Sequence, residues 1–135
     1  MLLGTIRPDG SARISPCEVD FAAGRLLLGM MWRSHKALDL LRDPRITVHS
    51  VPTDKDNAGG DVKLYGQAVG EGADVREVFR AAILARIDWA PDEPEYHLFS
   101  LDVQRAGFVR FGDQRMAMAW DEARGFREVR HPDAG

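Results

Sequence analysis

Cysteine is almost absent: Cys17 is the single one among 135 residues. One thiol cannot close an internal disulfide, so the expected setting is a reducing compartment, the cytoplasm. Cys17 falls in an expected strand, with nothing beside it in sequence to lower its pKa, and reads as a small packed residue rather than a nucleophile. Long apolar runs are also missing. No stretch approaches the roughly 18 residues that a membrane-spanning helix needs, and Met1-Leu2-Leu3 is too short for a signal-peptide core. Charge of one sign is scarce too: 18 Lys and Arg against 21 Asp and Glu leave a net charge of −3. That excludes a broad basic nucleic-acid surface but leaves room for a local basic pocket. There is no internal repeat and no low-complexity tract. The polar loop from Pro52 to Gly60 lacks the ligand spacing of an EF-hand, so calcium is not expected there. Gly66, Gly70 and Gly72 lack the spacing and the strand–helix–strand setting of a dinucleotide fingerprint.

What is present suits one globular domain over residues 1–135: 44% of the chain is hydrophobic and 29% charged, enough for a modest core. Leu2 to Ile6 reads as a strand, and Arg7-Pro8-Asp9-Gly10 as a tight turn. A second strand spans Ala12 to Phe21, a third starts at Leu26, a fourth covers Ile46 to Val51 and a fifth Asp61 to Val69. Asp74 opens a helix with Glu77 placed for a capping box, and Val75, Val78, Phe79, Ala82 and Ile83 form its apolar stripe. Tyr96 to Val103 and Gly107 to Phe111 read as one long strand bent near Gly107 or as two. Arg115 to Asp121 is the last strand, and residues 126–135 read as a loose tail. Six or seven short strands with two short helices leave little room for parallel crossovers. The expected fold is therefore mainly β, an antiparallel barrel without exposed edges.

The chemistry concentrates in Leu26 to Arg45. An apolar strand ends at Trp32, and Ser34 stands where a helix N-cap belongs. Asp43-Pro44 stops the helix, because the residue before proline disfavours helical geometry. Arg33, Ser34, His35 and Lys36 crowd a point where free N–H groups and the helix dipole already favour an anion. Charge-assisted hydrogen bonds there are worth roughly 1.5–3 kcal/mol each.

The order of these pieces resembles the flavin-phosphate segment of the pyridoxamine 5′-phosphate oxidase-like split-barrel family. The pieces are a strand, Arg33-Ser34-His35-Lys36-Ala37, then Leu40-Leu41-Arg42-Asp43-Pro44-Arg45 and a second strand. Gly4 to Pro16 is similar to that family's opening hairpin and Val62 to Ala68 to its next core strand, so the resemblance covers roughly residues 3–85. Relatives often carry a helix before the hairpin, which this chain lacks. The resemblance implies a split-barrel homodimer with FMN between subunits and hydride transfer at the flavin N5 to or from a small substrate, without nucleic-acid or membrane partners. It implies that Lys36 holds the phosphate with help from Ser34, that Arg33 is a second contact, and that His35 stands where the oxidases often have arginine. Arg13, Ile14, Ser15 and Pro16 match the strand beside the flavin ring. Gly29, Met30 and Met31 match the strand facing it. Asp61 stands where the oxidases tend to have glutamine.

The C-terminal Gly125-Phe126-Arg127-Glu128-Val129-Arg130-His131-Pro132 does not match the arginine-rich substrate motif of true pyridoxamine-phosphate oxidases, which argues against vitamin B6 as substrate. The alternatives are a deazaflavin-dependent reductase and a non-catalytic flavin or haem carrier on the same fold. A cofactor-free small-barrel binding module is the third. Met30, Met31 and Trp32 suit either a subunit interface or the core. No residue stands out as a general acid or base, and no metal site is expected.

Overall fold

The structure is a computed structural model and describes residues 1–92 and 95–130. It holds more strands than the sequence suggests: nine strands and two helices are present among the described residues. The strands are β1 (Leu2–Ile6), β2 (Ala12–Pro16), β3 (Glu18–Ala22), β4 (Arg25–Met31), β5 (Arg45–His49), β6 (Asp61–Gly70), β7 (Tyr96–Arg110), β8 (Met116–Asp121) and β9 (Gly125–Glu128). Helix α1 (His35–Arg42) follows β4, and α2 (Ala73–Ile87) follows β6.

All strand pairs are antiparallel, in the order β2-β1-β5-β6-β7-β4-β3. The two end strands, β2 and β3, are joined through Cys17 alone. The sheet therefore curls until its ends meet in one bent stretch of chain. The first half of that stretch pairs with β1 and the second with β4. This explains the extra strand. The expected run from Ala12 to Phe21 changes partner at Cys17, directly after Pro16, which has no N–H to continue a ladder.

The barrel is split along β7. Its first residues pair with β4 and its last with β8, on the same edge, while β6 covers the other edge from Phe99 to Val109. β7 is one strand, and its irregularity is the extra residue Gln104, which the register skips opposite Tyr65/Gly66 of β6. Gly66 has no side chain for a reason: a Cβ there would lie 1.8 Å from the Asp102 carbonyl oxygen.

Leu3, Leu28, Met30, Ile46, Val48 and Phe99 fill the interior, and Ala37 and Leu40 of α1 join them, so the short helix plugs that cluster. A second cluster, Leu27, Phe79, Ile83, Tyr96 and Leu98, sits where α2 packs on β4 and β7. The capping box expected at Asp74 is not formed. Gly72 is the N-cap, no side chain caps the helix, and Asp74 lies in its first turn, where a carboxylate favours the dipole. Residues 126–128, expected in a loose tail, belong to β9, which pairs with β8 and brings Phe126 against Trp120. Val129 and Arg130 follow β9, and residues 131–135 of that expected tail lie outside the described residues. No helix among the described residues is long and apolar enough to cross a membrane.

Candidate functional site

Helix α1 starts where the sequence places it. Ser34 is the N-cap, with its N–H donating to the Met31 carbonyl at 3.1 Å. Its hydroxyl caps nothing: Oγ is buried and has no hydrogen-bond partner among the described residues. A buried hydroxyl without a partner costs roughly 1–3 kcal/mol. Arg33, just before it, has φ +54°, the left-handed region that costs a side-chain-bearing residue about 1–2 kcal/mol. Two local penalties thus coincide in the three-residue connection from β4 to α1, and such departures gather at sites that serve something other than stability.

Trp32 completes that connection. Its ring stacks on His97 at 4.5 Å between centroids and 8° between planes, and His97 in turn faces Phe99 at 6.2 Å. His97 Nε2 is also buried without a partner. Burial, and then the positive charge of Arg76 on α2, hold its pKa below the usual histidine range. An indole face attracts a cation by about 0.5–2 kcal/mol. Burying an unpaired charge costs several kcal/mol, so the neutral ring is favoured.

Lys36, the second residue of α1, donates to the Pro16 carbonyl and lines a cavity of about 640 Å³. The ammonium has three donors, so one bond to Pro16 leaves two for a ligand. Five of the twelve residues singled out from the sequence line this cavity together: Pro16, Gly29, Met30, Met31 and Lys36. Met30 is core, 3% exposed, whereas Met31 is 78% exposed. Trp32 is also largely exposed. Met30 is thus core and Met31 surface, as the alternation of the strand requires, while Trp32 lies past the end of β4. Gly29 is required by close packing: a Cβ there would lie 2.6 Å from the Phe79 ring. Arg33, Ser34 and His35 sit at the head of α1 beside the cavity but do not line it.

The other four lie elsewhere. Arg13 points its Nε at Asp39 of α1, 2.7 Å away, in a nearly enclosed cluster with Thr5. Ile14 is 73% exposed, and Arg13 and Ile14 both border a second groove of about 650 Å³ with Gly4, Thr47 and Tyr65. Ser15 lines neither. Asp61 heads β6 away from the cavity, with Lys63 Nζ donating to it at 2.6 Å and Asn57 Nδ2 at 2.7 Å. Those bonds, the one from Lys63 foremost, hold its carboxyl below the usual range despite burial. Phe79, Ile83, Trp89 and Tyr96 line the cavity and were not singled out as site residues from the sequence. Phe79 and Ile83 read there as helix core, which they also are. The exposed Trp89, next to a Pro-containing loop, was the available signal.

The donor set fits an anionic group at the head of α1: a full charge on Lys36, an unused Ser34 hydroxyl and the free N–H groups of the first turn. The apolar wall of Met31, Phe79, Trp89 and Tyr96 offers a surface for something planar beside it.

No family model matches the chain, and no curated protein matches it significantly. Solved structures do. A pyridoxamine 5′-phosphate oxidase-related, FMN-binding protein from Nostoc punctiforme is similar with a TM-score of 0.72 at 14% identity, over 96% of this chain and 87% of that one. PhzG from Burkholderia lata, solved with tetrahydrophenazine-1-carboxylic acid, gives 0.69 at 14% identity over 95% and 79%. A haem-binding protein from Mycobacterium smegmatis gives 0.68 at 23% identity over 86% of this chain, which spans only 50% of that protein. These likenesses place the chain by its fold: it is a split barrel of the kind found in pyridoxamine 5′-phosphate oxidase-related, FMN-binding proteins.

Proposed function

We propose that the chain is an FMN-binding oxidoreductase of the pyridoxamine 5′-phosphate oxidase-like family, acting on a small substrate as a homodimer. The observation that carries this reading is the head of α1, where Lys36 faces a 640 Å³ cavity and the Ser34 hydroxyl is buried without a partner. A phosphate in the cavity would take the free donors of Lys36, and a turn of the Ser34 side chain toward it would satisfy that hydroxyl as well. A bound flavin supplies hydride transfer at its N5. The chain's part is to hold the phosphate at Ser34 and Lys36, to seat the planar group against Met31, Phe79 and Tyr96, and to exclude water there. The outward-facing Ile14 and Met31 supply apolar surface for a second subunit.

A second reading is a non-catalytic cofactor carrier, favoured by the likeness to a haem-binding protein. The test is an absorption spectrum of the purified protein titrated with FMN, with a deazaflavin coenzyme and haem in parallel. A saturable shift of the flavin bands, followed by turnover with nicotinamide donors, supports the oxidoreductase. Preference for the deazaflavin moves the activity to that coenzyme. Binding of haem alone, or of no cofactor, overturns it.

A further inference from the structure

The head of α1 is reached through Trp32, and Trp32 rests on a group that can change charge near neutral pH. His97 lies on β7, paired with Met30 of β4, so it belongs to a different part of the chain from the loop it supports. Its ring lies flat under the indole, with Phe99 on the same strand at 6.2 Å. Trp32 is followed by Arg33 in the left-handed region and by Ser34 with its unused hydroxyl. No side-chain hydrogen bond holds the helix start at Ser34. The flat stack is therefore the side-chain tether of this connection on its β7 side, with Lys36 on the Pro16 carbonyl holding the helix that follows.

We infer that His97 is a positioning residue for the anion site: its neutral imidazole, stacked beneath Trp32, sets the conformation of the β4–α1 connection, and its protonation releases Trp32 and loosens the head of α1. The inference rests on the proposed role of that helix head in holding a phosphate. Protonation would place a donor at Nε2, where no acceptor stands, and would add positive charge near another cation. The groups that face the ring are few. Met30 on β4, Trp32 after it and Phe99 on β7 are uncharged, and among the described residues Arg76 on α2 is the one charge that acts on it. Among the described residues, no carboxylate acts on the ring to stabilise the cation. Trp32 covers one face of the ring and Nε2 is buried, so hydrating the imidazolium at that nitrogen requires the stack to open.

The consequence for the site is a loss of anion affinity in mild acid. FMN carries its own phosphate ionisation near pH 6, so the parent must be compared with a chain that lacks the imidazole. His97→Phe keeps a flat ring under Trp32 and removes the titration.

The experiment has a ligand-free arm and a binding arm. Without ligand, the His97 ring proton, the Ser34 and Lys36 backbone amides and the emission of Trp32 (in a Trp89→Phe/Trp120→Phe background) are followed from pH 8 to pH 5. All should move with one midpoint below about 6.5. In the binding arm, FMN affinity of the parent should fall about ten-fold more over that range than affinity of His97→Phe. Amides and emission that stay flat while the His97 ring titrates overturn the inference, as does an equal pH dependence of FMN binding in the two proteins. If FMN binds neither at pH 8, the phosphate reading fails. The ligand-free arm then still decides whether His97 positions the loop, and needs no variant of His97 to fold.

Discussion

Arg13 of β2 donates its Nε to the Asp39 carboxylate of α1 at 2.7 Å, and Thr5 Oγ1 donates to the same oxygen at 2.9 Å. Asp39 is 2% exposed. This clamp, with Arg42 donating to the Ile6 carbonyl, ties the second half of α1 to β1 and β2. The first half is held by Ala37 in the core and by Lys36 on Pro16. A short helix with two apolar anchors thus gains its fixed orientation from a buried charge.

Removing that charge leaves Arg13 facing a nearly dry hole. Breaking a buried pair typically costs 3–5 kcal/mol, and Arg13 keeps some contact with water, so Asp39→Ala should cost about 3 kcal/mol, at the low end of that range. The melting temperature should drop on the order of 10 °C. A fall of only a degree or two in a thermal melt would mean that the clamp does not fasten the helix.

The same carboxyl sets part of the acid response. Burial alone would raise the pKa of Asp39, but the hydrogen bonds from Arg13 and Thr5 and the charge of Arg13 outweigh it and hold it below the usual value. Its unfolded pKa is near 3.9. A folded pKa depressed below this contributes stability that is full above about pH 4 and is lost as pH falls through the lower folded value. Asp43, held at about 2 chiefly by its bonds from Arg45, acts with the same sign but is well solvated. Urea midpoints should therefore hold between pH 5 and 7 as far as these carboxyls are concerned, and decline below about pH 4. Asp39→Asn should flatten part of that decline. An unchanged acid slope in the variant would assign the acid response to other groups.

These contacts separate what the sequence discloses from what it hides. The Arg7–Gly10 turn follows from local chemistry: Gly10 has φ +84°, its N–H donates to Arg7, and Asp9 accepts from the Ser11 N–H. The end of α1 before Pro44 is local too. The alternation of β2 likewise separates Arg13 and Ser15 from Ile14 and Pro16. It does not say which pair faces inward. That is decided by Asp39, 26 residues further on. The change of partner at Cys17 and the cap at Gly72 depend on neighbouring strands and on backbone closure. Neither leaves a residue pattern of its own. The Trp32–His97 stack joins β4 to β7 across a span that no short-range spacing could reveal.

At the head of α1, Lys36→Ala removes one charge-assisted contact worth roughly 1.5–3 kcal/mol. FMN should bind ten- to a hundred-fold more weakly, on the order of that loss. The fold should persist, since Lys36 contributes no core packing. Flavin fluorescence gives the affinity and a thermal melt the control. Unchanged FMN affinity would show that the phosphate is held elsewhere.

Two glycines should respond unequally to a methyl group. At Gly29 the obstacle is the Phe79 ring, a side chain that can shift with α2, and overpacking of that kind costs about 1–3 kcal/mol. At Gly66 the obstacle is the Asp102 backbone carbonyl inside the β6–β7 ladder. It cannot move without opening the sheet. Gly66→Ala should therefore lower the urea midpoint more than Gly29→Ala, or prevent folding. The reverse order would contradict the bulge at Tyr65/Gly66.

Cys17 borders the cavity, yet it should be a poor nucleophile. Burial pushes its thiol up to about 11, although the nearby Lys36 pulls the other way. Its Sγ approaches the Gly29 carbonyl at 3.1 Å and that of Glu18 at 3.2 Å, acceptors that favour the protonated form. A rise of about two units from the ordinary value of 9.0 cuts the thiolate fraction at neutral pH about a hundred-fold. Ellman's reagent should therefore label the native protein at least that much more slowly than the denatured chain, which should release one equivalent. Lys36→Ala removes the cation that favours the thiolate, so it should slow labelling further provided the cavity keeps its shape. Prompt labelling of the native parent at pH 7 would mean that the β2–β3 junction is open to solvent, and that the wall beside Lys36 is not the closed surface on which a planar cofactor could rest.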